Sequence, residues 1–289
     1  MMEKIKAPLN PPEGGKWLLR PVKNESDISS IVNEVFAAVK QDGDIAVKKY
    51  ALQFDKAELT ELKVSQQEID ESAKSLDASL KKAIKLAFKN IYSLHEAQQR
   101  KNKKITTTNG VQCWIEPRAI ENVGLYIPGG TAPLFSTVLM LGIPAIIAGC
   151  KNIMLCTPAS GEINPAILFT SKLVGIKNIY RVGGIQAIAA LSYGTETMAK
   201  ADKIFGPGNQ YVTAAKMKAQ QEGIAIDMPA GPSELLIIAD KNAVPAFVAA
   251  DLLSQAEHGP DSQVILVSDS EKIIDETFTE LYKQLDVLP

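Results

Sequence analysis

VGLYIPGGTAPLFSTVLMLGIPAIIAGCKNIMLC, residues 123–156, decides the fold. A short apolar run ends in Pro128, Gly129 and Gly130; an apolar helical stretch from Ser136 to Ile147 follows, and NIMLC reads as a second strand. Strand, turn, helix, strand is the unit of a parallel sheet. Such strands are covered on both faces and therefore carry no polar alternation. The most apolar part, residues 133–150, is interrupted by Pro144 and by Ser136, Gly142 and Gly149, so it reads as a buried helix and not as a membrane span.

The alternation continues toward the C-terminus. A helix from Pro165 to Val174 precedes a strand in NIYRV, a helix from Gln186, a strand in DKIFG and a helix from Asn209 to Gln221. A strand in GIAID, the loop MPAGPS, the strand ELLIIA, the helix PAFVAADLLSQAEH, the strand QVILVS and a helix from Glu271 complete the pattern. Toward the N-terminus, Ile28, Ile31, Val32, Val35 and Val39 recur at helical spacing until QDGD. A second helix then carries Ala46, Tyr50 and Phe54, and a long one from Asp77 to Arg100 carries Leu80, Ile84, Ala87, Phe88 and Ile91. TTTNGVQCWIEPR reads as a hairpin, and residues 1–20, rich in Pro and Gly, as an extended arm.

The 289 residues are 46% apolar and 22% charged, which excludes disordered and low-complexity classes and allows about two domains at about 150 residues each. Lys and Arg number 31 against 33 Asp and Glu, so no basic field invites a nucleic acid. Cys113, Cys150 and Cys156 form no paired spacing, and the first residues lack the apolar core of an export signal. Both point to the reducing cytoplasm.

Four glycine turns stand out: PGGTAP at 128–133, VGGIQA at 182–187, FGPGNQ at 205–210 and PAGPSE at 229–234. The first three fall where a strand hands over to a helix, at the edge where open α/β sheets bind ligands and where free helix amides favour anionic groups. Gly206 and Gly208 begin a dinucleotide fingerprint and Asp227 stands at the distance of a ribose-binding acid. Tyr211, however, occupies the third glycine's place, which leaves only a general nearness to phosphate or ribose.

The chain has two histidines. His95 borders the apolar stripe of a helix and reads as structural, whereas His258 follows Gln255 by three residues, a spacing that puts both on one helical face. That pair can chelate a metal or simply end a helix, and two ligands cannot close a zinc site alone. Glu257 beside it is a possible base pointing off that face. Cys150 and Cys156 could serve a thiol-dependent aldehyde dehydrogenase, but their apolar surroundings favour packing.

The ordered blocks GDIAVKKYALQFD, VGLYIPGGTAPLFSTVLMLGIPA, IAGCKNI, VGGIQAIAALSYGTE, DKIFGPGNQYV, DMPAGPSELLIIAD and DLLSQAEHGPDSQ together resemble the histidinol dehydrogenase family. The resemblance implies zinc- and NAD-dependent oxidation of L-histidinol through L-histidinal to L-histidine, the last steps of histidine biosynthesis. It implies Tyr126, Gln186 and Asn209 as NAD contacts, Ser233, Gln255 and His258 as substrate contacts, and Gln255 and His258 as zinc ligands. It further implies a homodimer in the cytoplasm with two Rossmann-like parallel-sheet modules, the second inserted in the first. The expected division is an arm at 1–20, a first α/β domain from 21–123 with 235–289, and an inserted α/β domain at 124–234, with the active cleft between the two. The family's catalytic Glu-His pair has no counterpart in these 289 residues, and the last helix has no strand after it. A missing C-terminal part is therefore expected, and a chain inactive or weakly active alone. The rival reading is a catalytically silent assembly fragment.

Overall fold

The computed structural model describes residues 25–99, 102–129, 133–158, 161–229, 234–257 and 262–288. The chain divides into two compact units, one of them Ser26–Gly231 and the other including everything from Pro232 onward.

In the larger unit the first helix, α1 (Glu25–Asp55), is two helices joined at Gly43, whose φ of 52° and ψ of −128° break the ladder where QDGD predicted a stop. The Glu196 carboxylate accepts from the Asp44 N–H at 2.8 Å and caps the restarted helix. A side chain at Gly43 would overlap that carboxylate. Then come α2 (Gln66–Glu71), which the sequence reading missed, and α3 (Ala78–Ala97). Ser65 and Glu68 form a reciprocal capping box at α2, so the Ser-x-x-Glu spacing was the signal that could have located it. The hairpin β1 (Ile105–Thr108) and β2 (Val111–Cys113) turns at Asn109 and Gly110 and is exposed along its whole length.

The alternating part follows as β3 (Asn122–Tyr126), α4 (Phe135–Ile147), β4 (Asn152–Cys156), α5 (Pro165–Val174), β5 (Asn178–Tyr180), α6 (Gly184–Tyr193), β6 (Lys203–Phe205), α7 (Gln210–Gln221) and β7 (Ala225–Ile226). Its strands form one parallel sheet in the order β5-β4-β3-β6-β7. Two cores flank it. Val123, Leu125, Ile153 and Leu155 face α4 and α5, together with Ile84 of α3 and Ile69 of α2. Tyr126, Met154 and Cys156 face the other way, against α6, α7 and Phe36 and Tyr50 of α1. This alternation of side-chain direction along each strand makes three layers.

Helices α1 to α3 thus cover the five-stranded sheet, whereas the sequence grouped residues 21–123 with 235–289. The reason is that apolar stripes pack on the nearest open sheet face. Here both faces were only partly covered by the crossover helices.

The second unit contains β8 (Glu234–Ala239), α8 (Pro245–Ala256), β9 (Gln263–Ser268) and α9 (Glu271–Leu285). β8 and β9 pair in parallel across six residues each, and Ala249 and Leu252 of α8 pack with Ile273 and Leu281 of α9 in its core. Both units are therefore α/β with parallel strands. No helix among the described residues is long and apolar enough to cross a membrane.

Candidate functional site

Three of the four glycine turns stand at the carboxyl ends of parallel strands in the larger unit, as their sequence positions predicted. They follow β3, β5 and β6 and lead into α4, α6 and α7. The fourth, with Ser233, falls in residues 230–233, outside the described ones. β3 and β6 are neighbours whose following helices lie on opposite faces, so the switch point of the sheet lies between them.

The turns are packed against one another. Side chains at Gly129 or Gly183 would both run into Pro158, which follows β4. Gly206, with φ of 134°, lies so close to the end of β3 that a Cβ there would overlap the Tyr126 carbonyl oxygen. Glycine is needed at 206 for both reasons, its backbone angle and the approach of two main chains.

Tyr126 and Gln186 both stand at the turn after β5. The Tyr126 hydroxyl accepts from the Gly184 N–H at 3.1 Å, and burial pushes its pKa up to about 12, against the opposing pull of that hydrogen bond. Gln186 is fully buried; its Nε2 donates to Asp55 Oδ2 at 3.0 Å, and its Oε1 is buried without a partner. Burial in turn raises the Asp55 pKa, which the Gln186 hydrogen bond partly offsets. Asp55, the last residue of α1, was not singled out from sequence.

Asn209 stands further along the same edge, exposed, and its Oδ1 accepts from the N–H groups of Tyr211 and Val212 at 3.1 Å. The first turn of α7 is thereby already satisfied. By contrast, α4 and α6 start without a side-chain cap. The Pro133 and Leu134 carbonyls nevertheless accept from the Phe135 and Thr137 N–H groups at α4, and the Tyr126 hydroxyl from Gly184 N–H at α6, so among the described residues the amides left to an anion are chiefly those of Ile185 and Gln186 at the start of α6. Asp227 is also committed: one carboxylate oxygen accepts from the Gly206 N–H at 2.8 Å and the other pairs with Lys216. It ties the loop down.

A cavity of about 330 Å³ opens beside this edge, beyond β5, lined by Glu58, Glu61, Lys63, Ser65, Glu68 and Arg181 among others. None of Tyr126, Gln186 and Asn209 lines it. Arg181 holds Glu68 there with two contacts of 2.7 and 2.8 Å.

In the second unit α8 ends at Ala256 with Glu257 as its C-cap, short of the helix through His258 that the sequence predicted. His258 lies outside the described residues. Gln255 Nε2 is 3.5 Å from Ser262 Oγ. Among the described residues no three His, Cys, Asp or Glu side chains converge. They make no metal cage by themselves. His95 is half-buried in the last turn of α3, its Nδ1 2.9 Å from Gln98 Oε1.

The cysteines disfavour thiol catalysis. Cys156 is fully buried, 3.8 Å from Met198 Sδ, and burial pushes its pKa up to about 12. Burial also raises the Cys150 pKa, while Cys113 is exposed on β2. Iodoacetamide is expected to alkylate Cys113 in the native protein and Cys156 only after unfolding, as peptide mass mapping would show. Rapid native labelling of Cys156 would restore the thiol reading.

The histidinol dehydrogenase family model matches residues 18–289. The histidinol dehydrogenase of Bacteroides fragilis (strain ATCC 25285) is 54% identical over 282 residues, 96% of this chain and 66% of that protein. That of Escherichia coli O157:H7 is 50% identical over 275 residues, 94% of this chain and 63% of that protein. The crystal structure of histidinol dehydrogenase from Elizabethkingia anophelis superposes with a TM-score of 0.85 at 57% identity, covering 96% of this chain and 65% of that one. A succinate-semialdehyde dehydrogenase from Burkholderia pseudomallei, at 14% identity and a TM-score of 0.52, shares the fold alone; it covers 94% of this chain and 53% of that one. The chain spans about two thirds of the length of the curated relatives it matches. With a family model over nearly all of its sequence and half or more of the aligned residues identical to the histidinol dehydrogenases compared, the chain belongs to the histidinol dehydrogenase family.

Proposed function

We propose that this chain carries the cofactor-binding part of a cytoplasmic, homodimeric enzyme that oxidises L-histidinol through L-histidinal to L-histidine with NAD and zinc. Family membership supports the substrate, and one structural observation carries the cofactor reading. The first turn of α6, whose Ile185 and Gln186 N–H groups have no partner among the described residues, shares the carboxyl edge of a parallel sheet with the switch point between β3 and β6. When bound, one NAD would take a hydride from the carbinol carbon, and, after hydration of the aldehyde, a second NAD molecule in its place would take the next.

In this reading the chain's own residues mainly bind and orient. The Ile185 and Gln186 amides at the start of α6 meet the diphosphate, and Asn209 borders the crevice. The partnerless Gln186 Oε1 is an acceptor whose direction Asp55 sets by taking the amide's Nε2. Ser233, Gln255 and His258 are proposed to meet the substrate, with Gln255 and His258 as zinc ligands.

Calorimetric titration of the purified chain with NAD, followed by spectrophotometry of NADH formation from histidinol with added zinc, tests the reading. Expected is saturable NAD binding with little turnover, because the resemblance places the acid–base pair outside these residues. NADH production at the rate of a full-length relative would overturn the claim of weak activity. Absence of NAD binding at millimolar concentration would favour the silent assembly fragment instead.

A further inference from the structure

The loop after β6 is held by a partly buried ion pair that the family resemblance does not assign. Lys216, on α7, is 4% exposed; its ammonium donates to the Gly206 carbonyl at 2.7 Å and pairs with Asp227, just past β7. The second Asp227 oxygen accepts from the Gly206 N–H at 2.8 Å. Both polar groups of the Gly206 main chain are thereby taken by one pair of side chains, and the peptide planes on either side of that glycine cannot rotate.

The clasp acts at a particular place. Gly206 abuts the Tyr126 carbonyl, at the neighbouring strand end across the switch point, and Asn209 closes the other end of the loop by capping α7. A glycine-rich loop with φ of 134° at its first residue has many alternative conformations once released. A buried ammonium is retained only when paired, and here the Lys216 end is buried while the Asp227 side chain is 28% exposed.

We propose that Lys216 and Asp227 are positioning residues for the dinucleotide: they hold Gly206–Asn209 against the end of β3, so that the switch-point crevice is formed before the cofactor arrives. This rests on the reading of that edge as the NAD site. Preorganisation of this kind affects affinity, since a released loop must be ordered at the moment of binding.

The test measures NAD affinity of the parent chain, Lys216→Met and Asp227→Asn by calorimetry, below their unfolding transitions, with hydrogen exchange read by mass spectrometry. Expected for folded Lys216→Met is affinity weaker by about tenfold, and for Asp227→Asn by about threefold, with faster exchange confined to residues 205–212. Affinity unchanged in folded Lys216→Met, or exchange raised evenly over the whole sheet, would overturn the inference, because a merely structural pair gives that result. If Lys216→Met does not fold, Asp227→Asn decides: it keeps the shape and an acceptor for Gly206, and unchanged affinity overturns the inference. Failure of the parent itself to bind NAD overturns the reading of the edge and the inference with it, an outcome distinct from a loss seen only in the variants.

Discussion

Gly206→Ala is expected to destabilise the larger unit by about 3 kcal/mol or more, or to prevent soluble expression. Two costs add. A φ of 134° is unfavourable for any residue with a Cβ, and that Cβ would overlap the main-chain oxygen of Tyr126. Main chain in a parallel sheet cannot yield as a flexible side chain could, and moving the loop would also break the Lys216 and Asp227 contacts. Gly110→Ala is the control. Gly110 has a φ of 81°, but a Cβ there meets nothing within 4 Å, so only the backbone term of about 1 kcal/mol applies. Urea unfolding of both variants separates the terms, and equal midpoints would show that the approach of the two strand ends does not constrain the fold.

Phe36→Ala is the second large effect, at about 3–5 kcal/mol. Phe36 is 1% exposed and lies edge-on to Tyr193, with ring centroids 5.8 Å apart at 75°. It joins α1 to the far end of α6 in one core with Val35, Val39 and Leu191. Its removal leaves a cavity between two helices that the sheet holds in place, so little collapse can offset the loss. Hydrogen exchange should accelerate in α6 and in β3 to β5, with α8 and α9 unaffected. The opposite pattern would mean that the N-terminal helices belong with the C-terminal unit, as the sequence grouping had them.

That grouping shows where sequence reasoning runs out. The apolar stripe of Ile28, Val32, Val35 and Val39 announces a buried face. A stripe carries no address, however, and which sheet it covers is settled by the shapes and volumes of both partners. The break at Gly43 was legible as QDGD, but its cap was not, because Glu196 comes from 152 residues away from the Asp44 N–H it accepts.

The candidate site divides in the same way. Glycine turns announce themselves locally, so their place between strands and helices followed from the residues alone. What each polar side chain does there did not. The amide of Gln186 is turned inward by Asp55, which is distant in sequence, and Asp227 is taken up by Lys216 because α7 lies across it.

Alternating apolar runs and glycine turns, being short-range signals of backbone preference, determined by themselves the α/β class, the parallel strands and the common edge of three turns. Only the tertiary structure decided that α1 to α3 cover the five-stranded sheet, that Tyr126 and Gln186 face inward, and that Lys216 and Asp227 clasp Gly206. Those outcomes depend on burial and on charges brought together across the fold, and desolvation acts on neighbours in space, whatever their distance along the chain.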